Sequence, residues 1–269
     1  MEGEAGVAGY RLGAILGEGA TGVVHRAFGP DGTEVAVKLL RAEHAGDIVA
    51  RRRFEREARI AAEIDSPYLV PVLESGDGFI VLPLFRDGSL ARRLAERGSL
   101  GLGEAVTLAA QLGKGLDALH ARGVLHRDLK PSNVLLDGDR AALADFGLAR
   151  GADSTRMTRD GQPLGTALYL APELIEGTDA TPAADIYALG CVLYECLVSE
   201  PPFTGRSLAE LGFAHLVEPP PDPRERRPEL SSDVALTLLT ALQKSPTDRP
   251  TTATAFARML HLAHSSAPA

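Results

Sequence analysis

Cysteine is nearly absent: the 269 residues hold only Cys191 and Cys196. Two thiols five apart in an apolar stretch fit neither a zinc site nor a disulfide framework, which makes them buried, reduced side chains in a reducing compartment. Positive charge is also in short supply. Against 36 acidic residues stand 28 Lys and Arg, a net charge of −8 that favours solubility and argues against nucleic acid as a partner. No long hydrophobic run exists, since residues 186–198 are interrupted by Glu195 and are too short to cross a bilayer. The opening MEGEAGVAG has neither a basic start nor an apolar core, so it is no signal peptide. The histidines show no metal-ligand spacing, which leaves zinc without support. A cytoplasmic chain with no membrane segment is expected.

What is present is enough for a sizeable core. Apolar residues make up 45% of the chain and charged residues 24%, the composition of an ordinary globular protein. Residues 1–9 read as a flexible tail. Residues 10–85 are mostly strand-like, with turn signals at Pro30-Asp31-Gly32 and Gly76-Asp77-Gly78 and one helix over 48–64. After Arg86 helical patterns dominate. Apolar positions over 104–122 recur at helical spacing and stop at Gly123. Two short strands, 134–136 and 141–144, flank Asp137-Gly138, a type I′ hairpin signal. An irregular stretch over 150–170 is rich in Gly, Ser, Thr and Asp, and a Pro-rich connection at 219–228 reads as a rigid surface loop.

Four stretches carry chemistry. Gly17, Gly19 and Gly22 have the spacing that lets backbone approach a phosphate chain. Val23 and Val24 then begin a strand, not the helix of a dinucleotide fingerprint, so the glycines sit in a hairpin. In Val35-Ala36-Val37-Lys38 an apolar strand presents one lysine, and a buried ammonium needs a counter-charge. The helix at 48–64 offers one. With Phe54 placed at 0°, Ala61 and Ile64 fall near about −20° and −80° and Glu57 at about −60°, on the buried face, while Glu55 and Glu63 point away. The arginines of that helix read mostly as a solvated face.

The third stretch, His126-Arg127-Asp128-Leu129-Lys130-Pro131-Ser132-Asn133, crowds a carboxylate, cations and an amide into eight residues on a loop that Pro131 keeps from becoming helical. Phosphoryl transfer to a hydroxyl needs a base to take the proton and positive charge near the moving group. Asp128 and Lys130 offer these, and Asn133 offers oxygen to a hard cation. His126 reads as a packed structural residue. The fourth, Asp145-Phe146-Gly147, follows the second hairpin strand, and Asp145 can supply carboxylate oxygen to magnesium.

Together with Ala171-Pro172-Glu173, these motifs resemble the eukaryotic-like protein kinase family in order and spacing, over residues 10–262. The resemblance implies an α+β, two-lobed kinase fold: a small antiparallel β-rich N-lobe with one helix (10–85), a larger mainly α-helical C-lobe (86–262), and a C-terminal tail (263–269). It implies that Gly17, Gly19 and Gly22 cover the ATP phosphates, with Leu16, Val24 and Ala36 also at the nucleotide. Lys38 would hold the α- and β-phosphates, steadied by Glu57. Asp128 would be the base with Lys130 beside the transferred group. Asn133 and Asp145 would bind Mg2+, with Mn2+ as the alternative. Lys130 resembles the serine/threonine branch, as does Thr166. Glu173 resembles the partner of a late arginine, here Arg249, and Asp185 resembles the aspartate that braces the catalytic loop.

Pro83 is a departure, because the family usually places an acidic residue there. Adenine would be read by the Pro83 carbonyl and the Phe85 backbone, and proline lacks only an N–H this position is not expected to contribute. Arg127 implies control by a phosphate on the segment 145–173, with Thr158 as the main acceptor, Thr155 and Ser154 as further ones, and Asp160 as a permanent charge. Expected partners are ATP and proteins bearing Ser or Thr, with a homodimer for phosphorylation in trans. The rival readings are a nucleotide-binding pseudokinase and a kinase acting on a peptide or small molecule.

Overall fold

Strand β4 (Glu34–Leu40) shows why the first part of the chain makes a sheet covered on both faces. Val35, Ala36, Val37 and Lys38 are buried in succession, which an open sheet with one wet face does not allow. Val35 and Val37 pack with Ala27 and Val81 on one face, while Phe54 and Ala58 pack with Ile80 on the other. The computed structural model describes residues 6–19, 22–44, 46–146 and 164–266, without the side chains of Arg53, Glu57, Leu164 and Thr166. The chain divides into two units, Met1–Arg86 and Asp87–Ala269.

The first unit holds a six-stranded antiparallel sheet in the order β1-β2-β3-β4-β6-β5. Its strands are β1 (Gly6–Val7), β2 (Tyr10–Glu18), β3 (Gly22–Phe28), β4, β5 (Glu74–Gly76) and β6 (Phe79–Pro83). Helix α1 (Ile48–Glu63) starts at Asp47, whose carboxylate accepts from the Val49 and Ala50 N–H groups. The buried positions Phe54, Ala58, Ala61 and Ile64 are those expected from the periodicity, and Glu55 and Glu63 are exposed. One expectation fails at the N-terminus. Residues 6 and 7 belong to no flexible tail but pair with β2 through a turn at Ala8-Gly9, both with positive φ. A two-residue strand carries no readable alternation, so the sequence hid it.

The second unit has a three-stranded sheet, order β7-β8-β9, of β7 (Gly88–Ser89), β8 (Val134–Asp137) and β9 (Arg140–Leu143). The hairpin between β8 and β9 closes through Gly138 and Asp139, and only Gly138 has positive φ (58°). That is the II′ pattern, not the I′ turn expected from Asp137-Gly138. The helices are α2 (Leu90–Arg97), α3 (Leu102–His120), α4 (Leu164–Ala167), α5 (Pro172–Glu176), α6 (Pro182–Val198), α7 (Leu208–Val217), α8 (Ser232–Ala241) and α9 (Ala253–Ser265). Helix α6 is buried nearly all round, as its apolar composition requires. Helix α9 runs to Ser265, past the expected tail boundary at 262, because its first two N–H groups are held by Asp117 of α3 and its Leu260 and Ala263 are buried. The Pro-rich connection is fixed by Arg227, which donates to the Leu100 and Leu197 carbonyls.

Candidate active site

In the first unit the antiparallel register decides which side chains share a face. Lys38 lies opposite Val24 on β3 and Ile80 on β6, and Ala36 lies opposite Leu82. Val24, Ala36 and Lys38 therefore project to the face that carries α1. Lys38 is 5% exposed, with its Nζ 5.9 Å from the centre of the Phe54 ring. That contact attracts the ammonium without neutralising it. The Glu57 side chain lies outside the described residues; its backbone sits in α1 between Phe54 and Ala58.

The hairpin between β2 and β3 closes with the Gly19 N–H donating to the Gly22 carbonyl at 2.8 Å. A Cβ on Gly22 would stand 2.6 Å from the Leu39 carbonyl oxygen, so only glycine fits there. Around Gly17 nothing comes within 4 Å of that position, which leaves its backbone approachable. Leu16 beside it is 51% exposed.

At Pro83 the sheet loses nothing. The Val81 carbonyl accepts from Leu73, on the β5 side of β6, so Pro83, two residues on, turns its nitrogen to that side as well. Strand β5 pairs no further than Val81, and no ladder bond is missing there. Phe85 is buried.

In the second unit the loop from His126 to Asn133 is held from below by one carboxylate. Asp185, in the first turn of α6, is 1% exposed and accepts the His126 N–H at Oδ2 and the Arg127 N–H at Oδ1, both at 2.9 Å. His120, at the end of α3, meets Oδ2 at 2.7 Å. Burial pushes the Asp185 carboxyl up. The His120 bond, the two nearby imidazole rings and the Arg127 N–H outweigh it, and the net shift is downward. Asp185 was expected to brace the loop; His120 was not foreseen, because nothing in the sequence joins residues 65 apart.

Above that brace, Asp128 is the centre of a small polar cluster. Lys130 Nζ donates to both its oxygens at 3.0 and 3.2 Å. The Asn133 amide donates to the Asp128 carbonyl at 2.7 Å and to Oδ2 at 3.1 Å. The carboxylate stays 28% exposed, so its other lone pairs are reachable. The Asp128 N–H reaches His126 Nδ1 at 3.4 Å. Burial lowers the His126 pKa against the pull of Asp185, Asp128 and Asp145, so the ring is neutral and packed edge-on to Phe146. This is the structural role expected of it.

Backbone strain falls at the same place. Among the described residues four non-glycines have positive φ, and Arg127 (62°) and Asp145 (53°) are two of them. The loop is tied to Asp145 through the Ala144 N–H, which donates to the Asn133 carbonyl at 2.8 Å. With Nδ2 of Asn133 engaged by Asp128, its Oδ1 is the atom left for a cation, and Asp145 is exposed. One amide oxygen and one carboxylate fit a hard cation that also takes phosphate oxygens. No cluster of three His, Cys, Asp or Glu occurs among the described residues, so an all-protein cage is not what this site offers. Gly147, Ser154, Thr155, Thr158 and Asp160 lie outside the described residues.

Beyond the loop, Arg249 donates to Glu173 bidentately at 2.7 and 2.8 Å, the expected pair. Its remaining donors go to the carbonyls of Gln243, Ala183 and Lys244. A cavity is lined by Arg127, Asp128, Tyr169, Leu170, Ala184 and Asp185 among others, and the Tyr169 hydroxyl donates to Glu195 Oε2 at 2.6 Å.

A strand-and-helix unit with a glycine hairpin, followed by a helical unit with a braced Asp-Lys-Asn loop, defines the protein kinase class. The model of the protein kinase domain matches residues 10–261, and the chain belongs to that family. Among curated relatives, the serine/threonine-protein kinase PknH of Mycobacterium tuberculosis is 39% identical over 246 residues, 89% of this chain and 39% of that protein. PknE of the same organism is 38% identical over 264 residues, covering 96% of this chain and 46% of PknE. The chain thus spans less than half the length of these relatives. Among solved structures, Rad53 residues 1–466 in complex with AMP-PNP superposes with a TM-score of 0.77 at 23% identity, over 92% of this chain and 64% of that one, a likeness of fold.

Proposed function

We propose that this chain transfers the γ-phosphoryl group of ATP to Ser or Thr hydroxyls of proteins, its own included. The observation that carries the reading is Asp128, a partly exposed carboxylate held by Lys130 and Asn133 on a loop whose backbone Asp185 fixes. Asp128 orients the acceptor hydroxyl and takes its proton as the oxygen–phosphorus bond forms and ADP leaves. Lys130, already paired with Asp128, carries positive charge to the transferred group. Lys38 holds the α- and β-phosphates with Glu57 as its counter-charge, the glycine hairpin covers them, and Leu16, Val24, Ala36, Pro83 and Phe85 take the adenine end. Asn133 Oδ1 and the Asp145 carboxylate hold the divalent cation, for which magnesium is the choice, and bound there it neutralises phosphate charge.

Regulation belongs to the same reading. Thr158 is the main acceptor on the segment after Asp145, with Thr155 and Ser154 secondary. Its phosphate, about −2 in charge, forms charge-assisted bonds with Arg127. Asp160 supplies part of that charge permanently, so Thr158→Ala lowers activity without abolishing it. Phosphorylation in trans between two copies in the cytoplasm completes the picture.

The test is transfer of labelled phosphate from ATP by the purified chain, with phosphosites mapped. Wild type acquires label on Ser or Thr, and Asp128→Asn loses about 10²–10⁴ in rate with ATP binding retained. A wild-type chain that binds ATP and transfers nothing is the pseudokinase instead.

A further inference from the structure

Arg41 stands just past the end of β4, one residue beyond the register pair of Gly22 and Leu40. Its backbone is held on both sides. The Leu40 N–H donates to the Gly78 carbonyl and the Arg41 carbonyl accepts the His44 N–H, both at 2.9 Å. From this base the side chain reaches β2, although β3 lies between the two strands in the sheet. Nε donates to the Gly19 carbonyl and Nη2 to Glu18 Oε2, both at 2.9 Å. One edge of the guanidinium thus takes up two acceptors on consecutive residues, which its planar fork is shaped to do.

Those two acceptors sit in an awkward place. Glu18 ends β2 between Gly17 and Gly19, and its side chain is 54% exposed. The Gly19 N–H is already engaged by the Gly22 carbonyl, so what Gly19 has left to present is its own carbonyl oxygen. A hairpin that covers phosphates would therefore carry a carboxylate and an acceptor oxygen towards a polyanion, and both repel it. Arg41 neutralises the first and ties down the second. An exposed ion pair of this kind adds little to folding stability, so its effect belongs in the binding of a charged ligand.

We infer that Arg41 is a positioning residue for the nucleotide phosphates, acting through Glu18 and Gly19 by cancelling the negative groups of the hairpin. This rests on the kinase reading above, in which that hairpin covers the phosphates. Arg41 itself touches no nucleotide in this scheme, and its loss is harmful because Glu18 is left bare.

The experiment measures, by calorimetric titration of the purified chain, the Kd for adenosine, ADP and ATP in the wild type, Arg41→Gln, Glu18→Gln and the double variant. In Arg41→Gln the ATP Kd is expected to rise about 3–10-fold, the ADP Kd less, and the adenosine Kd to stay within about twofold, because the repulsion grows with phosphate charge. In about 0.5 M salt the rise should shrink, since the charges are exposed. Glu18→Gln is expected to bind ATP at least as tightly as the wild type, and in the double variant the ATP Kd should return to within about twofold of it. The Tm of all three variants should stay within about 2 °C of wild type. An unchanged ATP Kd in Arg41→Gln overturns the inference. So does an equal weakening of adenosine, which would mark damage to the sheet, or a double variant no better than Arg41→Gln, which would mean that Arg41 meets the phosphates directly. A wild-type chain that binds no ATP overturns this inference and the kinase reading together. One that binds ATP and transfers nothing refutes the transfer alone, and the same affinities still decide the role of Arg41.

Discussion

Lys38 poses the sharpest problem of any single residue. A lysine that is 5% exposed on an apolar strand is kept for a reason other than packing, since its charge is costly to bury. Methionine matches its stem in shape. Lys38→Met is therefore expected to leave the Tm within a few degrees of wild type while transfer from ATP falls by orders of magnitude; comparable activity would remove Lys38 from the phosphates. The helical phase gives a second expectation on the same face. Phe54 and Ala58 are buried and Glu55 is exposed, so Glu57→Gln should weaken catalysis where Glu55→Gln does not, because an amide cannot pair ionically with lysine. Transfer rates of the two variants, measured side by side, check the assignment, and the reverse order would refute it. At this scale Asp128, Lys130 and Asn133, which the fold brings together, were readable from residue type and spacing. His120 was not, because its bond to Asp185 is made by folding, across 65 residues, and not by any local pattern.

Elements were readable where a period had room to repeat. Helix α1 was expected over 48–64 and runs from Ile48 to Glu63; α3 was expected over 104–122 and runs from Leu102 to His120. Where the element was two residues long, as in β1, or set by one turn angle, as at Gly138, the sequence had no repeat to show. Helix α3 also carries a packing demand that periodicity does not report. A Cβ on Gly113 would stand 2.9 Å from the Ala253 carbonyl oxygen, because Asp117 one turn later draws the start of α9 against α3. A Cβ on Gly103 of the same helix would meet only the His264 ring, at 3.9 Å. Gly113→Ala is expected to cost about 1–3 kcal/mol by overpacking. Gly103→Ala is expected to be neutral or to stabilise by up to about 1 kcal/mol, since alanine loses less backbone freedom than glycine. Urea midpoints of the two variants decide it, and equal effects would mean that α9 moves aside freely.

For the whole molecule the polar groups inside the helical unit set how stability depends on pH. Glu173 and Arg249 form a buried bidentate pair in which every arginine donor is used, and removing one partner leaves a buried charge. Glu173→Ala is expected to cost about 3–5 kcal/mol, read as a fall in Tm. The histidines act differently. Burial depresses the pKa of His126, and burial together with Lys244 depresses that of His215 to about 3. A group whose folded pKa lies below its unfolded value makes the unfolded chain the better proton acceptor as pH falls. Stability is then highest above the unfolded pKa of about 6.5 and declines below it, by about 1.4 kcal/mol per pH unit for His215 until its folded pKa is reached. Asp185, also shifted down, adds to the loss once pH falls through its own folded value. Glu195, shifted up by burial, works the other way, since protonation of the folded form is the easier one. Asp185 acts only at more acid pH, and one carboxyl cannot cancel two buried rings, so the net slope below neutrality is towards unfolding. Urea midpoints between pH 7.5 and 4.5 should fall steadily, and His215→Gln should flatten that fall by removing one of the protons taken up on unfolding. A flat profile in the wild-type chain would show that these rings accept protons without leaving their places.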